Sequence, residues 1–205
     1  MKDLECSSCG ASIGLKEKFS KFFVCEYCGS AIFIEDDAIK NAGKMSKVSD
    51  VPSLINLGYT YTYRNFSFTP IGMVRYDYGR GFWDEFYVSD NEGKYHWVSV
   101  DEGDIAIEEP VQEKLDIAEF DSIKIGNSLS FHKNEAEVTL LVTEKNRCKC
   151  IGAKGELPFP VSMEEEYNYL DLSGPGGTIY TIEYTEDGTD VYYGKWVDPY
   201  DIKEI

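Results

Sequence analysis

The sequence is poor in basic residues and in histidine, and it has no long apolar run. Its 205 residues include 20 lysines and arginines against 37 aspartates and glutamates, and only two histidines. No stretch approaches the ~18 consecutive apolar residues that a membrane-spanning helix requires. Because the first residues also lack the apolar segment of a secretory signal, we expect a cytoplasmic protein.

The shortage of basic side chains lies almost entirely after residue 50. Residues 1–50 hold seven lysines and eight acidic residues, whereas residues 51–205 hold 13 basic and 29 acidic residues, a balance of -16. A body this acidic repels phosphate backbones and anionic lipid surfaces. We therefore expect a protein partner, basic or membrane-associated, rather than nucleic acid, although solubility alone also explains such a charge.

Motifs of the common enzyme classes are missing as well. There is no nucleophile elbow, no lysine-containing phosphate loop and no dinucleotide-binding fingerprint. His96 and His132 have no second histidine or cysteine at ligand spacing. Asp84 and Glu85 are neighbours in a predicted strand, so they point to opposite faces and cannot act together on one substrate atom. We predict no catalytic and no cofactor-binding residue, and an enzyme is the less favoured function.

Cysteine, by contrast, follows a metal-binding pattern. Cys6 and Cys9 form one C-x2-C pair, Cys25 and Cys28 form a second, and 15 residues separate the two pairs. This is the four-thiolate spacing of zinc ribbons, in which a glycine after each pair lets the turn close. Four protein ligands complete the coordination sphere, so we predict a structural zinc rather than a catalytic one. A redox dithiol would need only one pair, and a rubredoxin-type iron site usually has a longer gap.

A hairpin pattern recurs in the body at a constant spacing. Phe82 to Val100 contains two aromatic and β-branched runs around a turn that ends at Gly93. Adding 84 to each position gives a second copy, with the matched apolar residues Phe86 and Leu170, Val88 and Leu172, Val98 and Ile182, and Val100 and Tyr184. In a shifted register, Gly103 corresponds to Gly188 and Ile105 to Val191. The recurrence predicts a duplicated β unit whose matched positions are buried alike.

An insertion from Cys148 to Glu166 distinguishes the second copy. It contains the segment Gly155-Glu156-Leu157-Pro158, and insertions on rigid β scaffolds often carry contacts, so we predict that it marks the working surface of the body. The alternative is that this segment forms a strand that the fold requires. Cys148 and Cys150 have no further ligands close in sequence, which predicts free thiols.

Several longer motifs resemble one bacterial protein family. They are Trp83-Asp84-Glu85-Phe86 and Trp97-Val98 in the first copy, and Gly155-Glu156-Leu157-Pro158-Phe159, Tyr169-Leu170-Asp171-Leu172, Ile179 to Tyr184 and Tyr192 to Val197 in the second. Over about residues 54–200 the chain resembles the bacterial domain of unknown function four-one-seven-eight. This resemblance implies a β-rich body in tandem copies, often preceded by a zinc ribbon, and it implies no activity. At Phe159 the relatives often carry tryptophan, so the chain departs from the pattern there.

Together these patterns predict a mainly β fold, in which an N-terminal four-cysteine zinc ribbon precedes a duplicated small β-barrel or sandwich body. The predicted boundaries are residues 1–35 for the ribbon, 36–53 for a linker, 54–110 for the first β repeat and 120–205 for the second. We predict a zinc-containing binding or adaptor protein that acts through protein–protein contacts. One alternative is an enzyme with a site at the junction of the two repeats, which a deep pocket with clustered acids would favour. The other is a nucleic-acid adaptor that uses the ribbon.

Overall fold

The computed structural model describes most of the chain, namely residues 3–17, 20–35, 38–45, 48, 52–113, 115–133, 136–185 and 188–205. In this part the protein is mainly β and contains no α-helix. Three short 3-10 helices lie at Phe120–Ser122, Pro175–Gly177 and Pro199–Asp201. No helix within these ranges is long and apolar enough to cross a membrane.

Five strands form the N-terminal region. They are β1 (Asp3–Glu5), β2 (Ser12–Gly14), β3 (Phe22–Val24), β4 (Ser30–Glu35) and β5 (Ala38–Lys44). β1 and β2 make a separate two-stranded sheet, whereas β3, β4 and β5 pair in chain order. β5 lies inside the predicted linker, and its antiparallel pairing with β4, for example Ile39 with Ile34, ties this part of the chain to the ribbon.

Eleven strands form the body. They are β6 (Tyr61–Tyr63), β7 (Phe66–Asp77), β8 (Phe82–Asp90), β9 (Tyr95–Asp101), β10 (Asp104–Pro110), β11 (Ser128–Lys133), β12 (Ala136–Leu157), β13 (Glu166–Ser173), β14 (Thr178–Thr185), β15 (Gly188–Val197) and β16 (Ile202–Glu204). Most connections are short turns, so consecutive strands become antiparallel neighbours.

Eight of these strands close into a ring. Antiparallel pairing runs through β7, β8, β9, β10, β15, β14, β13 and β12, and the second half of β12 pairs with β7 again. Gly72 faces Gly155 and Tyr76 faces Cys150 across this closing seam. β6 and β11 lie outside the ring, where they pair with β7 and β12. We call this assembly the eight-strand ring.

Two glycines allow the closing seam to form. A Cβ atom on Gly72 would lie 1.8 Å from the carbonyl oxygen of Glu156, and one on Gly155 would lie 2.3 Å from the carbonyl oxygen of Ile71. Gly155 also has a φ of 70°, which favours glycine. The backbones of β7 and β12 therefore approach each other more closely than they could if either glycine were replaced by a residue with a side chain.

The two main hairpins have the same pairing register. Phe86 pairs with Val98 in the first, and Leu170 pairs with Ile182 in the second. Phe86, Val88 and Val98 are buried, as are Leu170, Leu172 and Ile182, while Val100 and Tyr184 are both half-buried. The spacing of 84 also holds in the third strand, because Val98 pairs with Ile107 and Ile182 with Val191. The predicted match of Ile105 with Val191 was therefore wrong, and Ile107 is the residue that corresponds to Val191.

The apolar side of each hairpin faces away from the centre of the ring. In the first hairpin this side packs into a buried cluster with Ile55, Tyr61 and Phe68. In the second it packs with Phe131 and Leu140. Because neighbouring residues of a strand point to opposite faces, the polar positions between these apolar residues point into the ring.

The ribbon is joined to the ring by both strand pairing and packing. β3 pairs with the end of β12, with Phe22 opposite Leu157 and Val24 opposite Gly155. Phe22 also belongs to the same buried cluster as Tyr87 and Trp97, which point into the ring. The core of the ring thus continues into the N-terminal region.

Candidate functional site

The four predicted metal ligands converge on one point. The sulfur atoms of Cys6, Cys9, Cys25 and Cys28 all lie within 4.8 Å of one another. Each pair sits on a tight turn after a strand, and the two turns have matching hydrogen bonds: Gly10 N–H donates to the Cys6 carbonyl and Gly29 N–H to the Cys25 carbonyl, both at 2.8 Å. Gly10 and Gly29 have φ values of 72° and 70°, a backbone conformation that favours glycine. This confirms the prediction that a glycine after each cysteine pair lets the turn close.

The spacing of the sulfurs fits a tetrahedral metal ion. Cys6 Sγ and Cys28 Sγ are 3.6 Å apart, and Cys9 Sγ and Cys25 Sγ are 3.8 Å apart. A tetrahedral ion with metal–sulfur bonds of about 2.3 Å places its ligands about 3.8 Å from one another. Hydrogen bonding to Ser30 lowers the pKa of Cys28 to about 6, whereas burial and contacts with the other thiols raise the pKa values of Cys25 and Cys9, so a metal ion would have to displace protons from these two. The four cysteines can therefore hold a metal ion.

The other two cysteines take no part in this cluster. Cys148 and Cys150 are buried in β12, and their thiols are free. Burial raises the pKa of both thiols, so they are weak nucleophiles and poor metal ligands. Within the described ranges, the four-cysteine cluster is the only group of three or more histidine, cysteine or carboxylate ligands close enough to share one ion.

A large cavity lies inside the eight-strand ring, between the two hairpins. Its volume is about 1110 Å³, slightly above the roughly 300–1,000 Å³ typical of small-molecule sites. Its lining includes the acidic residues Glu85, Asp101, Glu108, Glu144, Asp171 and Glu183 and the aromatic residues Tyr76, Trp83, Tyr167, Tyr169 and Tyr192. Five more acids line its exposed outer part, namely Glu119, Asp121, Glu165, Glu166 and Asp190. Among the lining residues that the structure describes, Arg147 is the only basic one.

Two of the buried acids are joined by one hydroxyl group. Thr181 Oγ1 lies 3.0 Å from Glu108 Oε1 and 3.0 Å from Asp171 Oδ1. A hydroxyl has a single hydrogen, so it can donate to only one of these oxygens. The other contact is a hydrogen bond only when that carboxyl group carries a proton itself. Burial, together with the neighbouring carboxylates, raises the pKa of Glu108 to about 8 and that of Asp171 to about 7.

Three half-buried acids of the cavity, Glu85, Asp101 and Glu183, also have raised pKa values. Burial raises the pKa of Glu85 to about 7, although the indole N–H of Trp83 donates a hydrogen bond to its carboxylate at 2.9 Å. Burial also raises the pKa of Glu183 well above its usual value. Burial raises the pKa of Asp101 to about 6, and its Oδ1 atom is shielded from solvent without a hydrogen-bond partner among the described residues. Within the described ranges, no cation contributes to the pKa shifts of these three carboxyl groups, although cations usually neutralise acids that are removed from water.

The residues weighed from the sequence lie in different surroundings. Asp84 and Glu85 point to opposite faces, as predicted: Asp84 forms a buried ion pair with Arg75, whose Nε lies 2.6 Å from Asp84 Oδ1, while Glu85 faces the cavity. His96 contacts the Asp90 carboxylate at 3.1 Å in a hairpin turn away from the cavity. The side chain of His132 lies outside the described residues.

Glu108, Asp171 and Glu183 were not predicted from the sequence. Asp171 and Glu183 are single acids between apolar or aromatic neighbours in a strand, whereas Glu108 is followed directly by the exposed Glu109. Such a position normally faces solvent on the outer side of a sheet, and nothing local marks it as buried. The spacing of 84 positions does not reveal them either, because it matches Glu108, Asp171 and Glu183 with Tyr192, Tyr87 and Ser99.

The segment Gly155-Glu156-Leu157 lies inside the fold rather than on its surface. The buried carboxylate of Glu156 accepts hydrogen bonds from Lys16 N at 2.7 Å, Glu17 N at 3.1 Å and the Ser20 hydroxyl at 2.6 Å. It thereby fixes the loop between the two cysteine pairs against the ring. These contacts agree with the alternative interpretation, in which the segment has a structural role. Farther along, Phe159 contacts Trp97 and lines the cavity, so part of the insertion does reach the candidate site.

Comparison with known proteins gave one match. The model of one protein family, described as Domain of unknown function (DUF4178), matches residues 56–199. No curated protein and no solved structure gives a significant match to the chain. The matched residues include both hairpins and the acids that line the cavity, whereas the four clustered cysteines precede them.

Proposed function

The chain belongs to the family described as a domain of unknown function (DUF4178), and on that premise we propose that it is a zinc-containing binding protein whose ligand site is the cavity inside the eight-strand ring. One observation carries the proposal: a cavity of about 1110 Å³ lies between the two hairpins and receives side chains from both. Sites for small molecules are concave, combine aromatic walls with a few polar groups, and occur in the mouths of β-barrels. This cavity has each of those properties.

We assign zinc to the four cysteines. Four thiolates with sulfur separations of 3.6 and 3.8 Å suit a tetrahedral ion, and four protein ligands leave no open position for substrate or water. The ion would hold the two turns together and supply folding energy to a region that has a small core of its own. In this proposal the metal is structural and the cavity is the working site.

We further propose that the body arose as a tandem duplication and forms a small barrel. The identical pairing register of the two hairpins supports the duplication, and the closing seam between β7 and β12 supports the barrel. A bulge follows Pro70 in β7, and another follows Val142 at the corresponding place in β12. Bulges are specific features that unrelated strands seldom share in position.

An enzyme is the second candidate, and the Glu108–Thr181–Asp171 contact favours it. Two carboxyl groups that share a proton and have pKa values near neutrality are suited to general acid–base chemistry. The pocket with clustered acids is also the feature that would favour an enzyme at the junction of the repeats. We rank binding first because the lining residues include no activated nucleophile, and the one thiol among them, Cys148, is held protonated by burial.

The structure offers less support for the predicted adaptor role through protein–protein contacts than for ligand binding in the cavity. The segment expected to form the contact surface is buried at Glu156 and Leu157. A protein partner would therefore have to use another surface, such as the exposed Tyr27 at the tip of the second cysteine turn.

A cavity-filling variant tests the proposal. Ser99 lines the cavity, so Ser99→Trp should occupy part of it, while Ser128→Trp adds the same side chain at an exposed position in β11. Thermal unfolding would be followed with spermidine, choline, citrate, glucose and the apolar dye anilinonaphthalene sulfonate. We expect at least one compound to raise the melting temperature of the wild type and of Ser128→Trp but not of Ser99→Trp. Compounds that stabilise all three proteins equally would place the binding site elsewhere.

A further inference from the structure

We propose that the ligand of the cavity is a linear organic cation with two or more amino groups, an inference that rests on the proposed function of the cavity. Its basis is the arrangement of the buried or half-buried acids, which come from both halves of the ring and face one cavity. The choice among cations follows from how far apart these acids are, from the aromatic walls between them, and from a carboxylate oxygen that lacks a partner.

The lining residues indicate that the ligand is positively charged. Glu108 is only 5% exposed, and Glu85, Asp171 and Glu183 line the same space, whereas the single basic lining residue, Arg147, is exposed. Buried carboxylates without nearby cations repel one another and would repel an anionic ligand. A cation that enters this space gains the attraction of several carboxylates at once.

The spacing of the acids distinguishes an organic cation from a metal ion. Glu108 Oε1 and Asp171 Oδ1 lie within about 6 Å of each other, because each is 3.0 Å from the same threonine oxygen. In the described part of the chain, no three carboxylates of the cavity come close enough to coordinate one ion. Acids that are too dispersed for one ion still match a chain that carries several separated amino groups.

Aromatic rings occupy the space between the acids. Trp83 stacks on Tyr76 with ring centroids 5.2 Å apart and contacts Tyr169 at 5.1 Å. Such rings pack against methylene groups and attract ammonium groups through their faces. An alkyl chain with amino groups along it combines both kinds of contact.

An unpaired oxygen points to missing hydrogen-bond donors. Asp101 Oδ1 is shielded from solvent and has no hydrogen-bond partner among the described residues. Buried polar atoms are nearly always paired, so this atom is expected to have a partner beyond the described residues, and a bound ligand can be that partner. An ammonium group provides up to three N–H donors and no acceptor, which suits a wall made of carboxylates.

Spermidine, which carries three amino groups, is the test probe, with butylamine and Mg²⁺ for comparison. Isothermal titration calorimetry of the full chain at pH 7 and 150 mM salt would compare wild type, Glu108→Gln, Asp171→Asn and the matched control Glu109→Gln. Glu109 is the exposed neighbour of Glu108 on the same strand. We expect spermidine to bind at least about tenfold more tightly than butylamine or Mg²⁺, and each cavity variant to weaken spermidine binding at least about tenfold while Glu109→Gln does not.

The number of protons released on spermidine binding gives a second test. Glu108 and Asp171 would change this number only if they contact the ligand, and not if they merely support the fold. Glu108 and Asp171 are surrounded in the cavity by Glu85, Asp101, Glu144, Glu183, Asp190, Arg147, Tyr169 and Tyr192. Because burial raises the pKa of Glu108 to about 8 and that of Asp171 to about 7, a bound cation should displace protons from them at pH 7. The binding enthalpy should then depend on the ionisation enthalpy of the buffer, and less so in Glu108→Gln.

Four results would overturn the inference. Equal affinity for Mg²⁺ and spermidine would indicate a diffuse acidic surface, and unchanged spermidine binding in both cavity variants would place it outside the cavity. If another compound of the panel binds the wild type but not Ser99→Trp, while spermidine does not bind, the proposed function holds and the polyamine inference is wrong. If no compound binds in the cavity, both are wrong.

Discussion

Glu108→Gln should stabilise the unliganded protein, and the gain should increase as the pH rises from 5 to 7.5. The ordinary pKa of a glutamate is 4.5, and burial raises that of Glu108 to about 8. Between these values the folded state keeps a proton that the unfolded state has released, so stability falls as the pH rises. Each pH unit in this window costs about 1.4 kcal/mol, which gives a cost of about 4 kcal/mol at pH 7.5 and less than about 1 kcal/mol at pH 5.

Glutamine removes this cost without emptying the site. It has no charge at any pH, it is nearly the same size, and its carbonyl oxygen can still accept the hydrogen bond of Thr181. The stability gained by the variant should therefore be about 3 kcal/mol larger at pH 7.5 than at pH 5. For a chain of this length, such a difference corresponds to roughly 6–12 °C in melting temperature.

Urea unfolding followed by tryptophan fluorescence at both pH values measures the difference. Glu109→Gln serves as the control, because Glu109 is exposed on the opposite face of the same strand and should change stability by no more than about 0.5 kcal/mol at either pH. A Glu108→Gln variant that is less stable at pH 7.5 would refute the reasoning. That result would mean that Glu108 is ionised in the folded state and has a cationic partner.

Three further predictions concern the ribbon and the closing seam. Purified protein should contain about one zinc per chain, and Cys25→Ser should lose it, which metal analysis by mass spectrometry would check; iron in place of zinc would contradict the assignment. Glu156→Ala should cost about 2–3 kcal/mol in urea unfolding, because three donors of the ribbon loop lose a buried acceptor, whereas Glu164→Ala in an exposed loop should cost almost nothing. Gly72→Ala should cost about 4 kcal/mol or more, or prevent folding, because its Cβ would lie 1.8 Å from the Glu156 carbonyl oxygen; Gly93→Ala, in an open turn, should cost only about 1–2 kcal/mol, and equal effects of the two would argue against a tight seam.

The sequence was sufficient for features that depend on local chemistry. The cysteine spacing and the following glycines predicted a four-sulfur cluster, because two tight turns bring their ligands together almost without regard to the rest of the fold. Alternating apolar residues likewise predicted which hairpin positions are buried, since the period of a strand is fixed by its backbone.

Features that depend on distant parts of the chain could not be predicted in the same way. Phe86 and Leu170 face away from the ring and are covered by other segments, so the face that looked solvent-exposed in each strand became the wall of a cavity. Glu108 and Asp171 are 63 positions apart, and their strands lie in one ring because β10 pairs with β15 and β7 pairs with β12. The role of Glu156 was hidden for a similar reason, because its partners lie near residue 17, on the other side of the ribbon.

The shared register of the two hairpins has a consequence for what the cavity can distinguish. At the spacing of 84 positions, Glu108 is matched by Tyr192, and Asp171 by Tyr87, so the two walls carry different side chains on the same framework. Two identical chains arranged around a two-fold axis would have to present every inward side chain twice, and an asymmetric molecule could then enter in either of two equivalent directions. In a single chain that carries both hairpins, a substitution in one hairpin changes one wall of the cavity and leaves the other wall unchanged. If the cavity binds a ligand as proposed, its two different walls would recognise the two ends of that ligand separately and hold it in one direction only.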